Sequence, residues 1–120
     1  MKILNLTQHT ATADQVAAGV VEPKDKKKIQ EMLTFTEKPT AGEVLERAEA
    51  LAEIARAEGA THAMIGGAPF LMMPLHLALH RRGIVPVYAF SVRESTEEML
   101  PDGTVRKVQV FRHAGFISLD

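Results

Sequence analysis

A chain of 120 residues has room for one hydrophobic core and buries about two-thirds of its unfolded surface, so a single domain over residues 1–120 is expected. Its 46% hydrophobic and 24% charged residues exclude a disordered scaffold, and its lack of cysteine excludes disulfides, thiolate metal sites and a thiol nucleophile. Fourteen basic against fifteen acidic side chains leave a net charge of -1, which argues against duplex nucleic acid as a partner because that binding needs a phosphate-neutralising surplus.

In Lys2 to Leu6, Ile3, Leu4 and Leu6 are apolar and no helix-length pattern continues them, which predicts a short buried strand. The strand runs into the polar cluster Thr7-Gln8-His9-Thr10. Thr12 stands three residues before Gln15, the spacing at which a hydroxyl accepts the amide of the third helical residue while the Gln reaches back, so a helix to Ala18 closed by Gly19 is expected. Val20 to Glu22 is too short to assign. Pro23 to Lys28 is lysine-rich and leads into a helix over Lys26 to Leu33; its lysines read as a solvated helix face rather than an anion site. Thr34 to Pro39 is a connector.

Thr40 and Glu43 repeat the capping spacing. Val44, Leu45, Ala48, Leu51, Ala52 and Ala55 then form a helical stripe opposite Glu46, Glu49 and Glu53, and Gly59 closes the helix. Thr61 to Ile65 is a compact apolar run entering Gly66-Gly67-Ala68-Pro69, after which a helix is predicted to Arg82, closed by Gly83. Ile84 to Val92 has the β-branched and aromatic content of a strand, and the chain turns polar from Ser91. Pro101-Asp102-Gly103 is a turn signal, Val105 to Phe111 a returning strand, and Phe116 to Leu119 a segment expected to dock on the body. This alternation predicts an α/β domain of Rossmann-like type: a mostly parallel sheet flanked on both sides by helices, with a C-terminal hairpin or edge strand.

In such sheets ligands bind beyond the carboxyl ends of the strands. Three such ends carry polar or glycine-rich turns. Asn5, Thr7, Gln8 and Thr10 offer hydrogen-bonding side chains, and His9 an imidazole whose ordinary pKa of about 6.5 suits proton transfer near neutrality. Gly66, Gly67, Ala68 and Pro69 let backbone amides approach an anion at a helix N-terminus. Ser91 and Arg93 supply a hydroxyl and a guanidinium suited to phosphate. Together they predict a small phosphate or nucleotide site. Each also has a plainer reading: the glycines serve a tight turn, since neither the dinucleotide fingerprint nor a P-loop is present, and the threonines satisfy loop backbone.

His76 and His80 have the i, i+4 spacing of a metal pair, but no third ligand is evident, so packing or a helix C-terminal charge interaction is preferred and no metal or cofactor is expected. Arg112 and His113 are candidates for the pocket rim. Met64, Met72 and Met73 read as core or interface fillers. The longest apolar run, Ala68 to Leu79, contains Pro69, Pro74 and His76 and falls short of the roughly 20 residues a bilayer span needs. The N-terminal apolar stretch is too short for a signal peptide, so a soluble, cytoplasmic chain with no membrane partner is expected.

The opening Ile3-Leu4-Asn5-Leu6-Thr7-Gln8-His9-Thr10-Ala11-Thr12-Ala13-Asp14-Gln15 resembles the start of small CRISPR-associated proteins with a CARF-like, Rossmann-type fold. The later order is similar as well: a central strand, a Gly/Pro turn, an apolar helix, a strand ending near an arginine, and a final strand. The resemblance implies a homodimer that binds a cyclic oligoadenylate, and a metal-independent ring nuclease that cleaves it in type III CRISPR antiviral signalling. It implies His9 as acid/base or leaving-group stabiliser and Arg93 as charge clamp, with Ser91 a further catalytic candidate. Thr7, Gln8 and Thr10 would contact the ligand, and Gly66 to Pro69 would face its phosphate. Gly66-Gly67 and the segment from Pro23 to Pro39 depart from that pattern. A non-catalytic nucleotide sensor or interaction module of a phage-defence or mobile-element system is the alternative.

Overall fold

The computed structural model describes residues 1–119. Three short strands and the start of a long one build the parallel part of the sheet. Strand β1 (Ile3–Leu6) is buried at every position, as expected of a strand with neighbours on both sides and cover on both faces. It pairs in parallel with β2 (Val20–Val21) on one side and β3 (His62–Ile65) on the other. β3 pairs in parallel with β4 (Val85–Met99), to which β5 (Val105–Ser118) adds antiparallel, giving the order β2-β1-β3-β4-β5.

Helix starts follow side-chain chemistry. α1 (Ala13–Ala17) has the full reciprocal cap: the Gln15 amide donates to Thr12 Oγ1 at 3.2 Å and the Thr12 amide to Gln15 Oε1 at 3.0 Å. α2 (Lys26–Leu33) is capped by Asp25, which accepts the Lys28 amide at 3.1 Å. At α3 (Ala41–Ala57) only half of the expected box forms, because Thr40 accepts the Glu43 amide while its own hydroxyl donates to the Glu43 carboxylate. α4 (Pro69–Arg81) opens on Pro69 with no side-chain cap and carries Pro74 inside.

The helical cover is unequal. Ile29 and Leu33 of α2, Val44, Ala48, Leu51, Ala52 and Ala55 of α3, and Leu71, Leu75, Ala78 and Leu79 of α4 pack with Leu4, Leu6, Ala63 and Ile65 on one face of the sheet. On the other face Ile3, Val20, Met64 and Val87 are covered, among the described residues, by the partly buried hydrophobics Ala11, Val85 and Phe116, and Val16 of α1 stays exposed. Right-handed crossovers explain the asymmetry, since the two connections that move from β2 toward β4 must place their helices on the same side. No helix among the described residues is long and apolar enough to cross a membrane.

The last third departs from expectation. The polar run from Ser91 does not turn away: β4 continues through Arg93 to Met99, and β5 absorbs Phe116 to Ser118. The two form a ladder in which Arg112 pairs with Glu94 at 2.9 Å and Arg106 with Glu98 at 3.0 Å. Between the pairs Ala89 with Phe116 and Ser91 with His113, β4 has one residue, Phe90, and β5 has two, Ala114 and Gly115. Gly115, at φ +108°, takes up this bulge without the strain a side chain would bring. The result is an arm, and the molecule measures 56 × 35 × 26 Å.

Candidate functional site

The turn after β1 is built around Asn5. Its side chain is fully buried; Nδ2 donates to the His9 carbonyl at 2.7 Å and to Glu22 Oε1 at 2.9 Å, while Oδ1 accepts from the Thr7 amide at 3.0 Å and Thr7 Oγ1 at 2.7 Å. Glu22, just past β2, also accepts the Ala11 amide at 2.8 Å and pairs with Lys26 at 3.0 Å. Lys26 Nζ donates to the carbonyls of Thr7 at 3.0 Å and His9 at 3.1 Å. Asn5, Glu22 and Lys26 therefore form one clasp that satisfies the backbone of a loop with no regular structure of its own. Burial opposes ionisation of Glu22, but the Ala11 amide, the Lys26 ammonium and the Asn5 amide outweigh it and hold the carboxyl below its ordinary value. Lys26 thus departs from the expected solvated lysine face.

The clasped loop meets the other strand ends in a cleft of about 540 Å³. Thr7 to Thr10 line it together with Gly66 and Gly67 after β3, Tyr88 and Ala89 of β4, and Thr12 and Gln15 at α1. A Cβ on Gly66 would lie 3.5 Å from Thr7 Cγ2, so the two turns stand side by side. Gly67 has φ +142°, a conformation side chains rarely adopt. The position is the one the strand order dictates: the winding direction changes between β1 and β3, leaving an opening beyond their carboxyl ends. His9 is exposed at this cleft. The Tyr88 hydroxyl is 3.2 Å from His76 Nδ1, and the two rings stack with centroids 6.2 Å apart.

The structure thus brings together Thr7, Gln8, His9, Thr10, Gly66 and Gly67. It places the other candidates elsewhere. Asn5 organises the loop from behind. Ala68 lines a neighbouring depression, and Pro69 is exposed at the start of α4. Ser91 and Arg93 lie on the arm; at about 3.3 Å per residue Arg93 is some 13 Å along the strand from Ala89, and its guanidinium stands 5.3 Å from the Phe111 ring centroid. The separation arises because the parallel part of β4 ends near Val87 while the strand itself does not. Arg112 is paired with Glu94, and His113 packs its ring on Phe116 at 4.9 Å, so neither rims the cleft. No group of three or more His, Asp or Glu side chains able to hold a metal comes together among the described residues.

Sequence reasoning missed Glu22, Lys26 and Tyr88. The i, i+4 spacing of Glu22 and Lys26 was a visible signal of pairing, but their common target, the loop after β1, is 11 to 19 residues away in the chain. Tyr88, the one tyrosine, lies in a strand that reads as core.

No curated protein and no solved structure matches the chain. A family model does match, over residues 1–117. The chain belongs to the family described as uncharacterized protein MJ1673.

Proposed function

We propose that this protein is a CARF-like, Rossmann-type ring nuclease that binds a cyclic oligoadenylate and cleaves it without a metal in type III CRISPR antiviral signalling. The observation that carries the reading is His9, a titratable side chain held by a clasped loop beside the Gly66-Gly67 turn in the cleft at the sheet's switch point. In this reading a ribose 2′-oxygen attacks the adjacent phosphorus and the P–O5′ bond breaks, leaving a 2′,3′-cyclic phosphate and a 5′-hydroxyl. The 2′-hydroxyl proton leaves to solvent, and His9 in its protonated form delivers a proton to the departing 5′-oxygen. Orientation and charge stabilisation of this kind lower a barrier by several kcal/mol without a cofactor. Thr7, Gln8 and Thr10 hold the ligand and the amides after β3 face its phosphate. The reading includes a homodimer, since Arg93 and Ser91 stand on an arm away from their own cleft and act on a ligand only where a second copy brings them to it.

A non-catalytic sensor is the second reading, and one observation favours it: no lysine or arginine lines the cleft among the described residues, so within one chain a protonated His9 alone would offset transition-state charge there. Incubation with a panel of cyclic oligoadenylates in EDTA, with chromatographic separation of products, decides between them. Turnover by wild type, and binding without turnover by His9→Ala, is the expected result. Binding without turnover by wild type establishes the sensor, and no binding of any ring overturns both.

A further inference from the structure

Beside the cleft lies a second depression of about 520 Å³, and Gln8 lines both. Its aromatic surface is Phe35 and Phe70, and Phe70, at the start of α4, is half exposed. Phe70 is not loose. Phe35 meets it edge to face at 4.9 Å and 73°, and the Arg47 guanidinium covers Phe35 at 4.3 Å from the ring centroid. Arg47 Nη1 in turn donates to the Thr34 carbonyl at 2.6 Å. The polar rim is similarly held, with Gln8 Nε2 donating to Thr34 Oγ1 at 2.8 Å and Gln30 Nε2 to the Gln8 carbonyl at 3.2 Å.

The charges at the depression balance, since Glu37 and Lys38 both line it. A balanced rim around a fixed, half-exposed ring suits a flat neutral group better than a phosphate. Resting on the ring-nuclease reading, we infer that this depression is a second nucleobase subsite, in which the adenine of the nucleotide adjoining the one in the cleft stacks on Phe70. Gln8 is the bridge between the two sites, and α4 begins between them, with Gly66 and Gly67 on the cleft side and Ala68 on the other. Stacking of one base on an aromatic side chain corresponds to about a 5- to 150-fold change in affinity.

Because the chain has no tryptophan, Phe70→Trp is a direct reporter of stacking. Its fluorescence is expected to be quenched by cyclic tetraadenylate and by linear diadenylate, and Phe70→Ala to bind the ring about 5- to 150-fold more weakly by calorimetry. Should Phe70→Ala fail to fold, the tryptophan variant alone still reads the contact. Unmoved fluorescence with both ligands while calorimetry shows the ring bound, or a Phe70→Ala protein that binds and cleaves the ring like wild type, overturns the subsite while leaving the ring-nuclease reading intact. Quenching by the linear diadenylate with no binding of the ring by wild type supports the subsite and overturns the ring nuclease.

Discussion

Asn5 stands in a four-residue strand whose other members are apolar, and its buried amide makes four of the contacts that shape the loop after β1. A buried polar group is tolerated when its donors and acceptors are matched, and removing it leaves its partners unmatched. Asn5→Ala is therefore expected to cost about 1–3 kcal/mol in denaturant unfolding and to abolish ligand binding in the cleft; an unchanged midpoint with unchanged binding contradicts the clasp. Glu22 gives the same device a pH dependence. Its carboxyl is held below 4.5 in the folded chain, so its contribution is whole above that value and is lost as pH falls through the lowered folded value. Protection factors of the Thr7 to Ala11 amides, measured by hydrogen exchange and corrected for intrinsic rates, should fall in that acid window in wild type. In Glu22→Ala they should be low and flat across it. Gly67 poses the opposite case: a Cβ there would meet only Met72 Cε at 3.8 Å, so any penalty for alanine comes from φ +142° rather than from crowding.

At the scale of elements, α4 shows how far a pattern reaches. Leu71, Leu75, Ala78 and Leu79 are fully buried against α3 and the sheet, while Met73 on the other side is 72% exposed. Leu75→Ala should cost about 2–5 kcal/mol and Met73→Ala no more than about 0.5 kcal/mol, compared by chemical denaturation of the two variants. Equal costs would mean that a partner covers Met73 in solution. The helices α2, α3 and α4 and the strand β3 were legible because caps, glycine stops and apolar spacing are local signals. The start of β4, Val85 to Val92, was legible as well, but its extension to Met99 was not, because the run from Arg93 to Glu98 has the composition of a loop. Its extended form rests on cross-strand pairs such as Arg112 with Glu94, 18 residues apart. The docking of α4 on α3 is likewise a long-range matter: Arg82, at the end of α4, bridges Glu49 and Glu53 of α3, with Arg56 first and Arg82 second holding the Glu53 carboxyl at about 2.

For the whole molecule, a radius of gyration of 17.0 Å exceeds the about 14 Å expected of a compact chain this long, and the arm accounts for the difference. Val92 and Arg112 face each other across the ladder, so an Asn-Gly turn joining them removes the segment between without straining the body. This shortened protein should keep the thermal stability of the body, whose core contains no residue beyond Tyr88 on its helical face, and its radius of gyration by small-angle scattering should fall toward 14 Å. Wild type should run as a dimer in light scattering and the shortened form as a monomer; an unshortened monomer contradicts the proposed exchange of Ser91 and Arg93 between copies. Exposed Met99, Val105, Val110 and Phe111 give the removed segment an apolar surface that a second copy would cover.

By itself the sequence determined the α/β class, the helix starts, the Thr7 to Thr10 turn and the glycine pair, because each depends on residues within a few positions of one another. Only the tertiary structure decided that those two turns share a cleft with Tyr88, that Asn5, Glu22 and Lys26 are its scaffold, and that Ser91 and Arg93 are carried away on an arm. Those outcomes depend on strand order and on pairs far apart in the chain, and local spacing does not encode either.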